Sequence, residues 1–205
     1  IPVAHVEAGL RSGDRRMPEE INRIVTDHLS DLLFTTSRDS DENLQREGIA
    51  VEKIHFTGNV MVDSLLNNLD RTTSEETVSE VLGAEFLNEE FTLLTLHRPS
   101  NVDDRETLLG WIEALEKIAQ RITLVCPLHP RTAGRLDDFG LKERFEAAVT
   151  TRPPLGYLQF IALMRKSRVV ITDSGGLQDE ATVLGIPCLT IRENTERPVT
   201  ISHGT

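Results

Sequence analysis

Cysteine is scarce in this chain of 205 residues: only Cys126 and Cys188 occur. Each lies in an apolar strand-like run where a buried thiol packs as a small hydrophobe, a usage that fits a reducing cytoplasm. Basic charge is also short. With 22 Lys and Arg against 33 Asp and Glu, the formal net charge is −11 and the pI is near 5.0. A surface of that sign repels nucleic acid and anionic membrane alike, so neither is expected as a partner, and an anionic ligand needs a local basic pocket. No apolar stretch approaches the roughly 20 residues that span a bilayer, and no signal peptide precedes the first motif, so a soluble protein is expected. The histidines His5, His28, His55, His97, His129 and His203 lack the paired spacing of zinc ligands, and no metal is expected. The Gly-x-Gly-x-x-Gly and Walker patterns are absent, so neither NAD nor an ATP P-loop is indicated and no cofactor is expected. Asp173-Ser174-Gly175-Gly176 lacks the first glycine of a nucleophile elbow, which argues against a serine hydrolase.

What the chain does have is 39% hydrophobic content, enough for a real core, and a length that suits two half-domains. Strand-like and helix-like segments alternate from end to end, the pattern of parallel sheets covered by helices. The first strand ends near Val6. A helix starts at Pro18, with Glu19 and Glu20 in its first turn, and carries the apolar stripe Ile21, Ile24, Val25, Leu29 and Leu32. Strands are expected at Leu33–Thr36 and Ile54–Gly58, with a helix between them that ends at Gly48. The stretch from Asn59 to Asn88 is helical in pattern but broken by Arg71-Thr72-Thr73-Ser74, which marks the expected passage between two domains. Beyond it, strands at Phe91–Leu96 and Ile122–Cys126 flank a helix from Asp104 to Gln120. A helix at Tyr157–Met164 precedes the strand Val169–Thr172, which is followed by Ser174, a helix up to Gly185, and the strand Ile186–Ile191. The chain begins on a strand end and stops at Ser202-His203-Gly204-Thr205 without a closing helix, so it reads as an internal piece of a longer protein.

Ligands of open α/β sheets bind at the carboxyl ends of strands. His97-Arg98, His129-Pro130-Arg131, Ser174-Gly175-Gly176 and Arg192 to Arg197 each follow an expected strand, and in one parallel sheet they would share a rim. Ser174, Gly175 and Gly176 form a candidate phosphate cradle: adjacent glycines let backbone N–H groups approach an anion at the positive end of a helix. The bland reading is a tight turn with Ser174 as a plain N-cap. His97 and Arg98 could donate to phosphate oxygens, and Arg197 could be a second clamp unless its neighbouring acids hold it in a surface pair. Glu7 at a strand end and Glu19 twelve positions later suit proton abstraction and delivery. Otherwise Glu19 answers its helix dipole and Glu7 pairs with Arg11.

Taken together, His5-Val6-Glu7-Ala8-Gly9-Leu10-Arg11, Pro18-Glu19-Glu20-Ile21-Asn22-Arg23, Thr57-Gly58-Asn59, Thr95-Leu96-His97-Arg98, Thr172-Asp173-Ser174-Gly175-Gly176 and Thr195-Glu196-Arg197-Pro198 resemble the UDP-N-acetylglucosamine 2-epimerases of the non-hydrolysing, bacterial and archaeal type. The order and spacing match over essentially the whole chain. The resemblance implies an α/β fold of GT-B architecture, two Rossmann-like domains with parallel sheets and the nucleotide sugar in the cleft between them. On it, residues 1–65 finish the N-terminal domain and 66–205 form most of the C-terminal nucleotide-binding domain. The family's Gly-rich first loop and a third catalytic aspartate would then lie before this chain's start.

The resemblance further implies interconversion of UDP-GlcNAc and UDP-ManNAc for polysaccharide biosynthesis, by anti elimination of UDP and re-addition through a 2-acetamidoglucal. It implies a cytoplasmic homodimer acting on a UDP-sugar. Glu7 and Glu19 match the acid/base carboxylates and His97 the histidine beside the leaving diphosphate. Ser174, Gly175 and Gly176 match the phosphate cradle, Glu180 the ribose-hydroxyl acceptor, Arg197 a nucleotide contact and Phe160 the residue beside uracil. Arg98 and His129 fall where bacterial relatives bind an activating UDP-GlcNAc. Two departures, Pro99-Ser100-Asn101 after His97-Arg98 and Leu155 at a position that is often a polar uracil contact, leave the exact sugar open. UDP-2,3-diacetamido-glucuronic acid is the nearest competing substrate. A hydrolysing epimerase, a GT-B glycosyltransferase and a catalytically incomplete nucleotide-sugar-binding fragment also fit parts of the pattern.

Overall fold

Short apolar strands alternate with helices along the chain and pair in parallel, in two separate sheets. The computed structural model describes residues 1–71 and 74–204, so Thr72 and Thr73 of the expected interdomain passage, and the terminal Thr205, lie outside the described residues. Two units result: one of Ile1–Leu66 together with Arg192–Gly204, the other of Asn67–Ile191.

The first unit holds a sheet of β1 (Ala4–Ala8), β2 (Leu32–Thr35) and β3 (Ile54–Phe56), in that order. Helix α1 (Pro18–Leu29) connects the first two strands and α2 (Arg38–Arg46) the next two, as parallel pairing requires. Pro18 opens α1 with its fixed φ, and Glu19 and Glu20 in the first turn answer the positive end of the helix dipole. Ala8, Leu33 and Leu44 are fully buried and pack with Ile49 and Ile54. Gly9, at φ +80°, lies so close to α2 that a Cβ there would stand 2.5 Å from the Ser40 carbonyl oxygen. Within this chain the α1 stripe residues Ile21, Val25 and Leu29 are 40, 50 and 72% exposed. Leu32 belongs to β2 rather than to the helix, and with Val6 it leaves one face of this sheet open among the described residues. Helix α3 (Val60–Asn68) carries the chain out of this unit.

The second unit begins with α4 (Ser74–Val81), at whose end the carbonyls of Val81 and Leu82 accept from the Arg152 guanidinium at 2.8 and 3.0 Å. Its sheet contains β4 (Phe91–Thr95), β5 (Thr123–Pro127), β6 (Thr150–Arg152), β7 (Val169–Thr172) and β8 (Cys188–Thr190), ordered β6-β5-β4-β7-β8 and parallel throughout. The central β4 reads as an unbroken buried run because helices cover both faces. Between β4 and β5 lie the short α5 (Pro99–Val102) and α6 (Arg105–Ala119). The Asp104 side chain caps α6 by accepting from the Thr107 backbone N–H at 2.8 Å. Helices α7 (Pro130–Asp138) and α8 (Lys142–Ala148) follow β5, then α9 (Tyr157–Lys166), and α10 (Gly175–Leu184), which Gly185 ends in a left-handed conformation. The core gathers Leu94, Leu108, Ile112, Leu124, Leu136 and Phe145 among others. A final short helix, α11 (Pro198–Ser202), packs with the first unit. Among the described residues no helix is long and apolar enough to cross a membrane.

Candidate functional site

In the second unit β5, β4 and β7 are neighbours and run parallel, so the residues that follow them emerge at one rim: His129 to Arg131, His97-Arg98 and Ser174 to Gly176. Asp173 is the hub of this rim. It is fully buried, and its Oδ2 accepts from the backbone N–H groups of His97 and Arg98, both at 2.7 Å, and from the Asn101 amide at 3.1 Å. Its Oδ1 has the His97 Nδ1 at 2.8 Å, an ion-pair contact whose angle falls short of an aligned hydrogen bond. Burial alone would raise the Asp173 carboxyl. The His97 ring and the two backbone donors outweigh that and hold it below its ordinary value. With Nδ1 turned to a carboxylate, His97 keeps Nε2 for a ligand.

The His129 ring stacks at 5.2 Å from that of His97, tilted by 35°. His129 also caps α7, its Nδ1 accepting from the Arg131 N–H at 3.1 Å. Burial, then His97 and Arg131, push its pKa down, which favours its uncharged form. Arg98 is half-buried and anchored by its own Nε donating to the Asp173 carbonyl at 3.3 Å. Arg131 forms an ion pair with Asp103 at 2.7 Å.

Ser174 occupies the N-cap position of α10, but its hydroxyl makes no cap hydrogen bond, so it is not the plain N-cap of the bland reading. The first amides of any helix lack intrahelical partners, so this end can receive an anion. Farther along α10, Glu180 is 4% exposed, which excludes a solvent-facing helix acid, and it accepts from the Tyr157 hydroxyl at 3.0 Å. Burial raises the Glu180 pKa against the opposing Tyr157 hydrogen bond, with Asp179 adding to the rise. Burial and Glu180 push the Tyr157 phenol up to about 12. Phe160, half-buried, lies one turn along α9 from Tyr157.

The first unit holds the carboxylates. Glu7 is the extra residue of a β-bulge in β1, where the pairing jumps from Val6–Phe34 to Ala8–Thr35, and its φ is +70°. A non-glycine residue in that region is strained and persists only where its surroundings over-determine it. Its partner is not Arg11. That guanidinium is taken by Asp27 and Glu47, both at 2.7 Å. Glu7 Oε1 instead accepts from Arg197 at 2.6 Å. Arg197 is 8% exposed and also donates to Glu196 at 2.8 Å, so it is a buried member of a network rather than half of a surface pair. The fourth polar cluster, Arg192 to Arg197, therefore follows β8 as expected but packs with the first unit, where its arginines meet Glu7 and Glu196.

Glu19 stands exposed in the first turn of α1. Its neighbour Glu20 is 1% exposed and ties down the loop between the two candidate carboxylates, accepting from the N–H groups of Ser12 at 3.0 Å and Gly13 at 2.9 Å and from Arg23 at 2.8 Å. Asp27, also buried, takes His5 Nδ1 at 2.5 Å and the Gly9 N–H at 3.2 Å.

Asp173, Glu20, Asp27 and Tyr157 are the residues that sequence reasoning missed. For Asp173 a signal existed, a carboxylate placed directly after the strand Val169–Thr172 with its three leading apolar residues; the others needed the fold. Among the described residues no group of three or more His, Cys, Asp or Glu could hold a metal ion. Burial pushes the Cys126 thiol up to about 12 and raises that of Cys188, which disfavours the thiolate at both.

Parallel sheets whose polar clusters stand at strand carboxyl ends, with a helix N-terminus among them, define the Rossmann-like α/β class. The family model for UDP-N-acetylglucosamine 2-epimerase matches residues 1–205. A UDP-N-acetylglucosamine 2-epimerase of Methanocaldococcus jannaschii is 43% identical over 208 residues, covering all of this chain and 57% of that relative. A UDP-2,3-diacetamido-2,3-dideoxy-D-glucuronate 2-epimerase of Pseudomonas aeruginosa is 45% identical over 199 residues, 96% of this chain and 53% of the relative. The crystal structure of the M. jannaschii enzyme in complex with UDP-GlcNAc and UDP superimposes with a TM-score of 0.89 at 44% identity, covering 98% of this chain and 56% of that one. The chain belongs to the UDP-N-acetylglucosamine 2-epimerase family, with the α/β, GT-B class of fold, and spans about half the length of the relatives it matches.

Proposed function

We propose that the protein is a non-hydrolysing epimerase that interconverts UDP-GlcNAc and UDP-ManNAc. A carboxylate removes the C2 proton, the C–H electron pair becomes the C1=C2 bond, and the C1–O bond breaks with its pair leaving on UDP. UDP then returns to C1 of the 2-acetamidoglucal while C2 takes a proton on the opposite face. Glu7 and Glu19 serve as the acid/base pair. Since C2–H is not acidic, stabilising the departing diphosphate matters as much as pulling the proton. His97, oriented by Asp173, and the N-terminal amides of α10 with Ser174, Gly175 and Gly176 supply that stabilisation. Glu180 receives the ribose, Phe160 lies beside uracil, and Arg98 and His129 are candidate contacts for a second phosphate. A cytoplasmic homodimer belongs to the same reading.

The observation that carries it is the strained Glu7: a carboxylate stands at φ +70° at a strand end, at a backbone cost of about 1–2 kcal/mol. The Pseudomonas relative, a diacetamido-glucuronate 2-epimerase, favours one second reading, epimerisation of UDP-2,3-diacetamido-glucuronic acid at the same carbon.

Proton NMR of the full natural chain in D₂O tests both. With UDP-GlcNAc, deuterium at C2 and appearance of UDP-ManNAc are expected. Free ManNAc with UDP would mean the hydrolysing route. Exchange only with the diacetamido uronate would transfer the assignment to that sugar, and UDP binding without exchange from either would favour a transferase or an incomplete binding fragment.

A further inference from the structure

Glu7 has a long side chain on a backbone that few residues adopt, so its carboxylate needs a fixed partner to stand in one place. That partner is Arg197, whose Nη2 lies 2.6 Å from Oε1 of Glu7. Arg197 is itself immobilised. Its Nη1 donates to Glu196 at 2.8 Å, and its backbone N–H donates to the Thr195 hydroxyl at 3.1 Å. Glu196 is held in turn by Arg192 at 2.7 Å, with both side chains only 5% exposed.

The result is a line of alternating charge, Arg192–Glu196–Arg197–Glu7, in which the first three side chains are at least nine-tenths buried and only Glu7, at 31%, reaches solvent. Buried ion pairs repay their desolvation poorly, so such a line is a weak device for stability. It is a good device for geometry. A planar guanidinium can bridge two carboxylates in fixed directions, which an ammonium cannot do.

We propose that Arg197 is the positioning residue of Glu7, braced by Glu196 and Arg192, so that its effect on turnover passes through that carboxylate. The proposal rests on Glu7 being an acid/base carboxylate of the epimerase reading. It assigns Glu196 and Arg192 a part in turnover although neither contacts Glu7.

The test compares the full natural chain with Arg197→Met, Arg197→Lys, Glu196→Gln and Glu7→Gln, measuring kcat and KM for C2 deuterium exchange with UDP-GlcNAc and the Kd of UDP by calorimetry. Misplacing a reacting group by about 1 Å costs on the order of 100-fold. Arg197→Met should therefore lose about that factor in kcat, beyond any change in the UDP Kd. Arg197→Lys should recover part of it, and Glu196→Gln should lose about tenfold, again in kcat. If Arg197→Met fails to fold by circular dichroism, the Lys and Glu196→Gln variants decide by the same kcat and Kd readings. Wild-type kcat in the Arg197 and Glu196 variants, or a loss confined to UDP affinity, would overturn the proposal while leaving the epimerase reading standing. Absence of exchange in the wild type, or full exchange in Glu7→Gln, would instead remove the reading of Glu7 and this proposal with it.

Discussion

Removing Asp173 should unfasten the rim of the second unit more than any other single change there. Its Oδ2 satisfies two backbone N–H groups at 2.7 Å and the Asn101 amide at 3.1 Å, and the residue is fully buried. Asp173→Ala orphans these donors together, at about 1–3 kcal/mol each, and leaves a positively polarised pocket, so a loss of about 3–5 kcal/mol is expected. Asp173→Asn is the sharper probe. Its carbonyl oxygen can replace Oδ2, but its amide must then face the His97 Nδ1, now 2.8 Å from a carboxylate oxygen. The ring is forced to accept at Nδ1, and its protonated form loses its counter-charge, which on the proposed epimerase reading weakens stabilisation of the departing diphosphate. Stability should fall by only about 1–2 kcal/mol while turnover falls by about two orders of magnitude or more. The pH dependence follows from the depressed Asp173 carboxyl. Its stabilisation is complete above the ordinary carboxylate range and is lost as pH falls through the lower folded value, a limb that the Asn variant lacks. Urea unfolding of the wild type and both variants across pH, with ¹⁵N NMR of the His97 tautomer, reads all of this. An Asp173→Ala protein within about 1 kcal/mol of wild type, or an Asp173→Asn enzyme turning over normally, would refute the argument.

Gly9→Ala should cost about 3 kcal/mol in urea unfolding, because a Cβ there meets the Ser40 carbonyl oxygen at 2.5 Å on a φ of +80°. Gly58→Ala, at φ +84° with open space around it, should cost only about 1 kcal/mol, so equal losses would show that the clash with α2 is not felt. Although burial alone would raise it, Glu196 is held at about 2 by Arg192 and Arg197. The pH-dependent part of its contribution, on the order of 3 kcal/mol between the ionised and protonated forms and not a net gain from the ion pair, is present above the ordinary carboxylate range and lost as pH falls toward the folded value; Glu196→Gln should flatten that acid limb of the stability curve. Finally, Glu7→Asn should be more stable than Glu7→Gln by about 0.5–1 kcal/mol in the same assay, since Asn tolerates the left-handed backbone that both inherit.

The rim was legible in the sequence because it depends on local pattern. Apolar runs at Phe91–Leu96 and Val169–Thr172 mark buried parallel strands, and polar residues placed after such strands must emerge at their carboxyl ends. Elements with weak local signals escaped. The strand Thr150–Arg152 has three residues and no apolar run, and the start of α7 at Pro130 hid in a segment whose Pro, His and Arg read as loop. The α1 stripe was legible as a helical period, and Pro18–Leu29 is a helix, but period alone does not say what packs on an apolar face.

Partners of the candidate site were beyond any local pattern. A carboxylate within reach of several arginines in sequence chooses among them by geometry, and Arg11, four residues from Glu7, is already occupied by Asp27 and Glu47. The cation that Glu7 obtains lies 190 positions away, and the carboxylate that orients His97 lies 76 away. Closing either contact depends on the chain having first built the strand end that presents the acid. Residue types and their order therefore identify which groups stand ready for chemistry, while the long-range ion pairs decide how each is held. The strain at Glu7 belongs to the second kind, because nothing in the hexapeptide around it requires a φ of +70°. It accompanies the bulge opposite Phe34–Thr35, while the buried Arg197 holds the carboxylate at the other end of the side chain.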